Sequence, residues 1–97
     1  MQNKGMQALL QEAQKKQRAY DKALKEIEET EYEMSKNGII KVAMLGNKQI
    51  VSIDIDQDAL NPEDKEMIED ALVKCINSIT DSINDDIEDA KEATIGQ

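Results

Sequence analysis

Three aspartates at alternate positions, Asp54, Asp56 and Asp58, come nearest to a recognisable chemistry, that of an acid-lined calcium loop. Such a loop needs glycine at its sixth position, for a sharp turn, and a bidentate glutamate at its twelfth. Counting from Asp54, those positions hold Ala59 and Lys65. The stretch therefore reads as a strand end followed by a helix start, and no metal site is expected. Nucleophilic and acid–base chemistry fare no better. The chain has no histidine, and its one cysteine, Cys75, sits at the edge of an apolar helical stripe, where it reads as a small core residue. Paired carboxylates are plentiful, but they fall on exposed helix faces with no pocket to shift their pKa values. The four glycines form no phosphate-binding loop. The expectation is no enzyme, no cofactor and no small-molecule substrate.

The remaining residues with binding chemistry are basic. Lys4, Lys15, Arg18, Lys22 and Lys25 recur at helical spacing and cluster on one side of a helix, with Lys16 nearer its flank. The stripe runs from residue 4 to residue 25, about 30 Å at 1.5 Å per residue. Solvated helix faces usually mix signs, whereas this one gains acid only at Glu26 and Glu29. An outward cationic stripe suits phosphates or an acidic protein surface. These six residues are the candidate DNA contacts. Tyr20 and Tyr32 are the only aromatics, so there is no stacking platform for single strands, and no base-reading Asn or Arg set is present. Binding through this stripe would be salt-sensitive and largely blind to sequence.

Charge is divided unevenly along the chain. Residues 1–53 hold 9 basic against 7 acidic side chains, a balance of +2, while residues 54–97 hold 3 against 14, a balance of −11. The formal net charge of −9 opposes indiscriminate attraction to nucleic acid. Two function classes follow. One is a dimer that contacts the DNA backbone through the basic stripe. The other is an acidic protein-interaction or oligomerisation module, without direct DNA binding, whose basic stripe meets an acidic helix face.

The elements that must carry these faces are two long helices around a hairpin. Met6, Leu10, Ala13, Tyr20, Leu24 and Ile27 are spaced by threes and fours, with Gln17 filling one slot, and form the apolar seam of a first helix. A short strand follows through Tyr32 and Met34. Asn37-Gly38 then turns the chain into a strand over 39–45, and Gly46-Asn47 turns it again into a strand over 49–56. A two-residue loop at 46–47 pairs Val42 with Val51 and Ile40 with Ile53 on one apolar face. The other face carries Ile39, Ala43, Leu45 and Ile50 among Lys41, Ser52 and Asp54. A two-residue turn at Asn37-Gly38 adds Tyr32 and Met34 to this second face, and an odd loop length reverses that assignment. The set Tyr32, Met34, Ile39, Ala43, Leu45 and Ile50 is the candidate dimer interface. Asn61 as cap, Pro62 at the first helical position and Glu63 and Asp64 in the first turn open a second helix. Its seam runs Ile68, Leu72, Cys75, Ile76, Ile79, Ile83, Ile87, Ala90 and Thr94, and its outer face carries Asp70, Asp81, Asp85, Glu88 and Glu92.

Ninety-seven residues make one domain, 1–97, and chains this short bury a modest fraction of their surface, so a partner subunit is expected. A single cysteine means no disulfide framework, and no apolar run is long enough for a signal peptide or membrane span, so a cytoplasmic setting is expected.

The segment 53–72, I-D-I-D-Q-D-A-L-N-P-E-D-K-E-M-I-E-D-A-L, resembles the most recognisable part of the YbaB/EbfC family of bacterial nucleoid-associated proteins. Its centre is the run from Asp64 to Asp70. Gly38-Ile39-Ile40-Lys41-Val42 and the early Gln11-Glu12-Ala13-Gln14 fit the same pattern, so the resemblance covers roughly residues 6–90. Gln57 stands where the family often has a proline after the Ile-Asp pair. The resemblance implies an α/β (α+β) fold of long helix, three-stranded antiparallel sheet and long helix, in an intertwined or sheet-associated homodimer with projecting helices. It also implies DNA as partner and the nucleoid as location.

Overall fold

The computed structural model describes residues 4–96. The chain forms α1 (Lys4–Glu29), β1 (Glu31–Lys36), β2 (Ile40–Leu45), β3 (Ile50–Ile55) and α2 (Lys65–Thr94), the expected order of helix, three-stranded antiparallel sheet and helix. The strands lie in the order β1-β2-β3. The molecule measures 76 × 17 × 14 Å with a radius of gyration of 20.3 Å. A compact chain of this length has a radius near about 13 Å. The sheet therefore occupies one end, and the helices run out from it as an antiparallel arm.

Register sets which side chains meet α2. Both turns hold one residue more than the sequence reading gave them. Asn37 and Gly38 take φ of 55° and 68°, and Ile39 joins them, its N–H donating to the Lys36 carbonyl, so the β1–β2 loop has three residues. The odd length puts Tyr32 opposite Met44 and Met34 opposite Val42. Tyr32 and Met34 thus face α2, not the side of Ala43 and Leu45. At the second turn Leu45 donates to the Gln49 carbonyl across a loop of Gly46, Asn47 and Lys48, with Lys48 left-handed at φ 73°. This is a three-residue hairpin closed by a left-handed residue. A bulge at Val51 adds a second extra residue, since Ala43 pairs with Ser52 and Met44 with Ile50. The two insertions cancel in side-chain parity. Ile40 and Val42 keep the same face as Ile53, but the pairs are Val42–Ile53 and Ile40–Ile55, and Ile50 moves to the α2 side opposite Met44.

The core lies between α2 and strands β1 and β2. Ile40, Val42 and Met44 from the sheet meet Ala71, Cys75, Ile79 and Ile83 from α2, all buried, and Tyr32, Met34, Ile39, Ile68 and Ile87 pack around them. Cys75 is a buried core residue, as its place in the stripe implied. Ile39 belongs to this core as well, which corrects its placement on the open face. Two short 3-10 turns, Gln57–Ala59 and Pro62–Asp64, precede α2. The Asp56 carboxylate accepts the Asp58 N–H at 3.1 Å and so caps the first turn. Pro62 takes the first position of the second turn, after Asn61, whose side chain makes no capping bond there. No group of metal-ligating side chains assembles among the described residues.

Candidate nucleic-acid interface

No residue of α1 is buried. Its covered side is narrow: Lys16, Tyr20, Ala23, Leu24 and Ile27 are half-buried, and the rest of the helix is exposed. On a wheel of 3.6 residues per turn, the mean direction of Lys15, Arg18, Lys22 and Lys25 lies about 170° from that of Tyr20, Ala23, Leu24 and Ile27. Arg18, Lys22 and Lys25 therefore point away from α2, and Lys15 lies at the edge of that outward side, next to the groove between the helices. Lys4 falls on the same outward side, and all five are exposed. None of the five forms a salt bridge among the described residues, where the two ion pairs of the chain are Lys41–Glu33 and Lys65–Glu69. Lys16 differs. It shares a surface groove with Glu12, Lys15, Ala19, Ala93 and Thr94, on the flank that faces α2.

That groove also fixes where the arm thins. Lys15 is level with Thr94, so α2 ends there and the first turns of α1 run on alone. The apolar seam expected from Met6 onward is covered only from Tyr20 to Ile27. Met6, Leu9 and Leu10 are 55–65% exposed at the overhanging tip.

The arm is aimed at its base by a close approach. Gly46, in the β2–β3 turn, donates its N–H to the Thr30 carbonyl at 2.9 Å and lies against the Ile27 carbonyl. Thr30 closes the last turn of α1 by donating its N–H to Ile27 and its hydroxyl to the Glu26 carbonyl at 2.7 Å. On the other side of the sheet base, the Tyr32 hydroxyl donates to Asp86 on α2 at 2.7 Å. Burial, with the Asp86 carboxylate as acceptor and neighbouring charge, pushes the Tyr32 pKa up to about 12.

A second surface was anticipated in the sequence only at Ile50. α2 crosses β1 and β2, and of β3 Ile55 packs on the core while residues 50–54 stay exposed. Ile53 is 45% exposed although its partner Val42 is fully buried, and Ile50 and Val51 are open as well, whereas the exposed Val73 lies on the side of α2 away from the sheet. The open strand residues are ordinary in sequence, and only the bulge and the path of α2 set them apart.

The fold and its charge pattern define a sheet-based α+β protein whose two-helix arm carries a free cationic edge. The chain belongs to the YbaB/EbfC DNA-binding family, whose sequence model matches residues 1–97. It is 34% identical over 83 residues to a nucleoid-associated protein of Malacoplasma penetrans, covering 86% of this chain and 88% of that one. A nucleoid-associated protein of Clostridium kluyveri is 37% identical over 81 residues, covering 82% and 71%. One of Francisella philomiragia is 38% identical over 84 residues, covering 86% and 75%. The crystal structure of the uncharacterized protein HP0035 from Helicobacter pylori shares the fold with a TM-score of 0.64 at 19% identity, over 75% of this chain and 86% of that one.

Proposed function

We propose that this chain is a single-domain, dimeric, nucleoid-associated protein that binds the DNA backbone through α1 and catalyses no reaction. The observation that carries the reading is the outward row Lys15, Arg18, Lys22 and Lys25, extended by Lys4, which faces solvent and forms no ion pair among the described residues. Lys16, half-buried on the side of α1 turned toward α2, lies apart from that row. Cations of this kind attract phosphates and release counterions but read no bases, so binding is salt-sensitive with weak or no sequence preference. Membership of a DNA-binding family and the nucleoid-associated relatives support both the partner and a place in the nucleoid. No described helix is long and apolar enough to cross a membrane.

Dimerisation follows from β3. An edge strand with Ile50, Val51 and Ile53 open is a surface that a second copy covers well. Of the interface expected from sequence, Ile50 remains part of this surface. Tyr32, Met34 and Ile39 pack on the protomer's own core, Ala43 is buried, and Leu45 is half-buried on the opposite face. An isologous contact through β3 places one arm on each side of the joined sheets.

The test is DNA affinity as a function of salt, for the native protein and for a variant with Lys15→Glu, Arg18→Glu and Lys22→Glu. Loss of binding in the variant supports the assignment. Unchanged affinity overturns it, and absence of DNA binding by the native protein favours the module that contacts only protein.

A further inference from the structure

The two outer edges of the arm carry opposite charge over the same length. On α2, the residues turned toward α1 are Ile83, Ile87, Ala90 and Thr94, and the mean direction of Asp81, Asp85, Glu88 and Glu92 lies about 160° from theirs. The acidic row therefore points away from α1, just as the basic row of α1 points away from α2. Because Lys15 is level with Thr94 and the helices are antiparallel, Lys15 to Lys25 and Asp81 to Glu92 lie side by side, each covering about 15 Å. Asp81, Asp85, Glu88 and Glu92 are exposed and form no salt bridge among the described residues. The arm is thus a flat two-helix ribbon, cationic along one margin and anionic along the other.

We infer that a second copy of this chain docks edge to edge on this arm, the basic margin of α1 against the acidic margin of α2 of its neighbour. Simple translation brings the two rows into register, because they occupy the same stretch of the ribbon. Each docked arm leaves a basic margin free at one side and an acidic margin free at the other. The contact is heterologous and does not close on itself, so it extends into runs of arms. Single exposed ion pairs contribute little, and several in a row are needed to hold two arms together. Screening acts over about 8 Å at physiological ionic strength, so the stack forms at low salt or where copies are crowded and dissolves as salt rises. The inference stands apart from DNA binding. Where DNA is present, it and the neighbour's α2 compete for the same lysines.

The experiment is sedimentation velocity without DNA, at about 20 mM and about 300 mM salt, on four proteins: native, Lys15→Glu with Lys22→Glu, Asp85→Lys with Glu88→Lys, and the chain with all four changes. The native protein is expected to grow in mass with concentration at low salt and to stop growing at high salt. Either pair of reversals alone weakens growth by about tenfold or more. The fourfold variant, whose margins each carry two charges of either sign and no net charge, stays weak. An equal mixture of the two pairwise variants, by contrast, associates where neither does alone, because the intact basic margin of one meets the intact acidic margin of the other. A native protein that stays at its smallest species at low salt overturns the inference, as does normal growth of the Asp85→Lys, Glu88→Lys variant. That variant keeps the basic row and still binds DNA if the DNA reading is right, so the two proposals fail separately.

Discussion

Gly46 lies so close to the carbonyl of Ile27 that a Cβ there would overlap its oxygen and crowd the Cα of Glu28. The glycine is needed for this approach and not for an unusual φ, since Gly38 is the glycine with positive φ. The sheet's turn is thereby seated against the last turn of α1, which sets the direction of the arm. Gly46→Ala must push two backbones apart and is expected to cost about 2 kcal/mol, within the range of overpacked sites. A chemical-denaturation midpoint equal to that of the native protein would show that the turn is not seated on α1.

Tyr32 supplies a pH signature for the joint between sheet and α2. Its folded pKa is raised to about 12, first by burial and then by Asp86. The neutral phenol is therefore favoured in the folded state. Its contribution is complete below the ordinary tyrosine pKa of about 10 and is lost as pH climbs through the folded value. Tyr32→Phe is expected to lower stability by about 1 kcal/mol or less, because the bond is exposed. More tellingly, thermal melts of the native protein should lose more stability between pH 10 and pH 12 than those of the variant. Parallel pH curves would remove Tyr32 from the account.

Much of this was legible from residues alone, for physical reasons that differ by element. The helices were written locally, in threes and fours. Pro62 with the acids behind it marks a 3-10 turn that leads into α2, but Asn61 makes no capping bond and α2 itself begins at Lys65. Strand identity was equally local. Register was not. Asn37-Gly38 and Gly46-Asn47 both announce turns, but whether Ile39 or Lys48 joins the loop depends on backbone angles fixed by the rest of the sheet, and the Val51 bulge has no marker. Two one-residue errors cancelled at β3, so the apolar face survived, while one uncancelled error put Tyr32 and Met34 on the wrong side. The basic stripe was readable because its direction follows from helical spacing once the seam is known. The bare flank of β3 depends on where α2 crosses, and no residue of β3 encodes that.

Ile53 tests the proposed dimer without endangering the protomer, because it is already 45% exposed. Burial of an isoleucine contributes about 1.5–3 kcal/mol, and a two-fold contact counts it twice. Ile53→Lys is expected to weaken self-association by on the order of 100-fold or more while the far-UV circular dichroism stays unchanged. Light scattering that still reports a dimer would place the interface elsewhere.

The salt dependence of DNA binding counts the arms. For duplex DNA, log K falls against log salt with a slope of about −0.9 per neutralised phosphate. Four outward cations and Lys4 on each of two arms set an upper limit of about −9 for the slope. Lys22→Ala removes one contact per engaged arm, so the slope should shallow by about 2 if both arms grip the duplex and by about 1 if one does. Affinity should fall by a similar factor on unrelated DNA sequences, since phosphate contacts carry no base information. A slope that does not change sets Lys22 apart from the DNA. A loss confined to particular sequences would mean that α1 enters a groove and reads bases, which its row of lysines gives no means of doing.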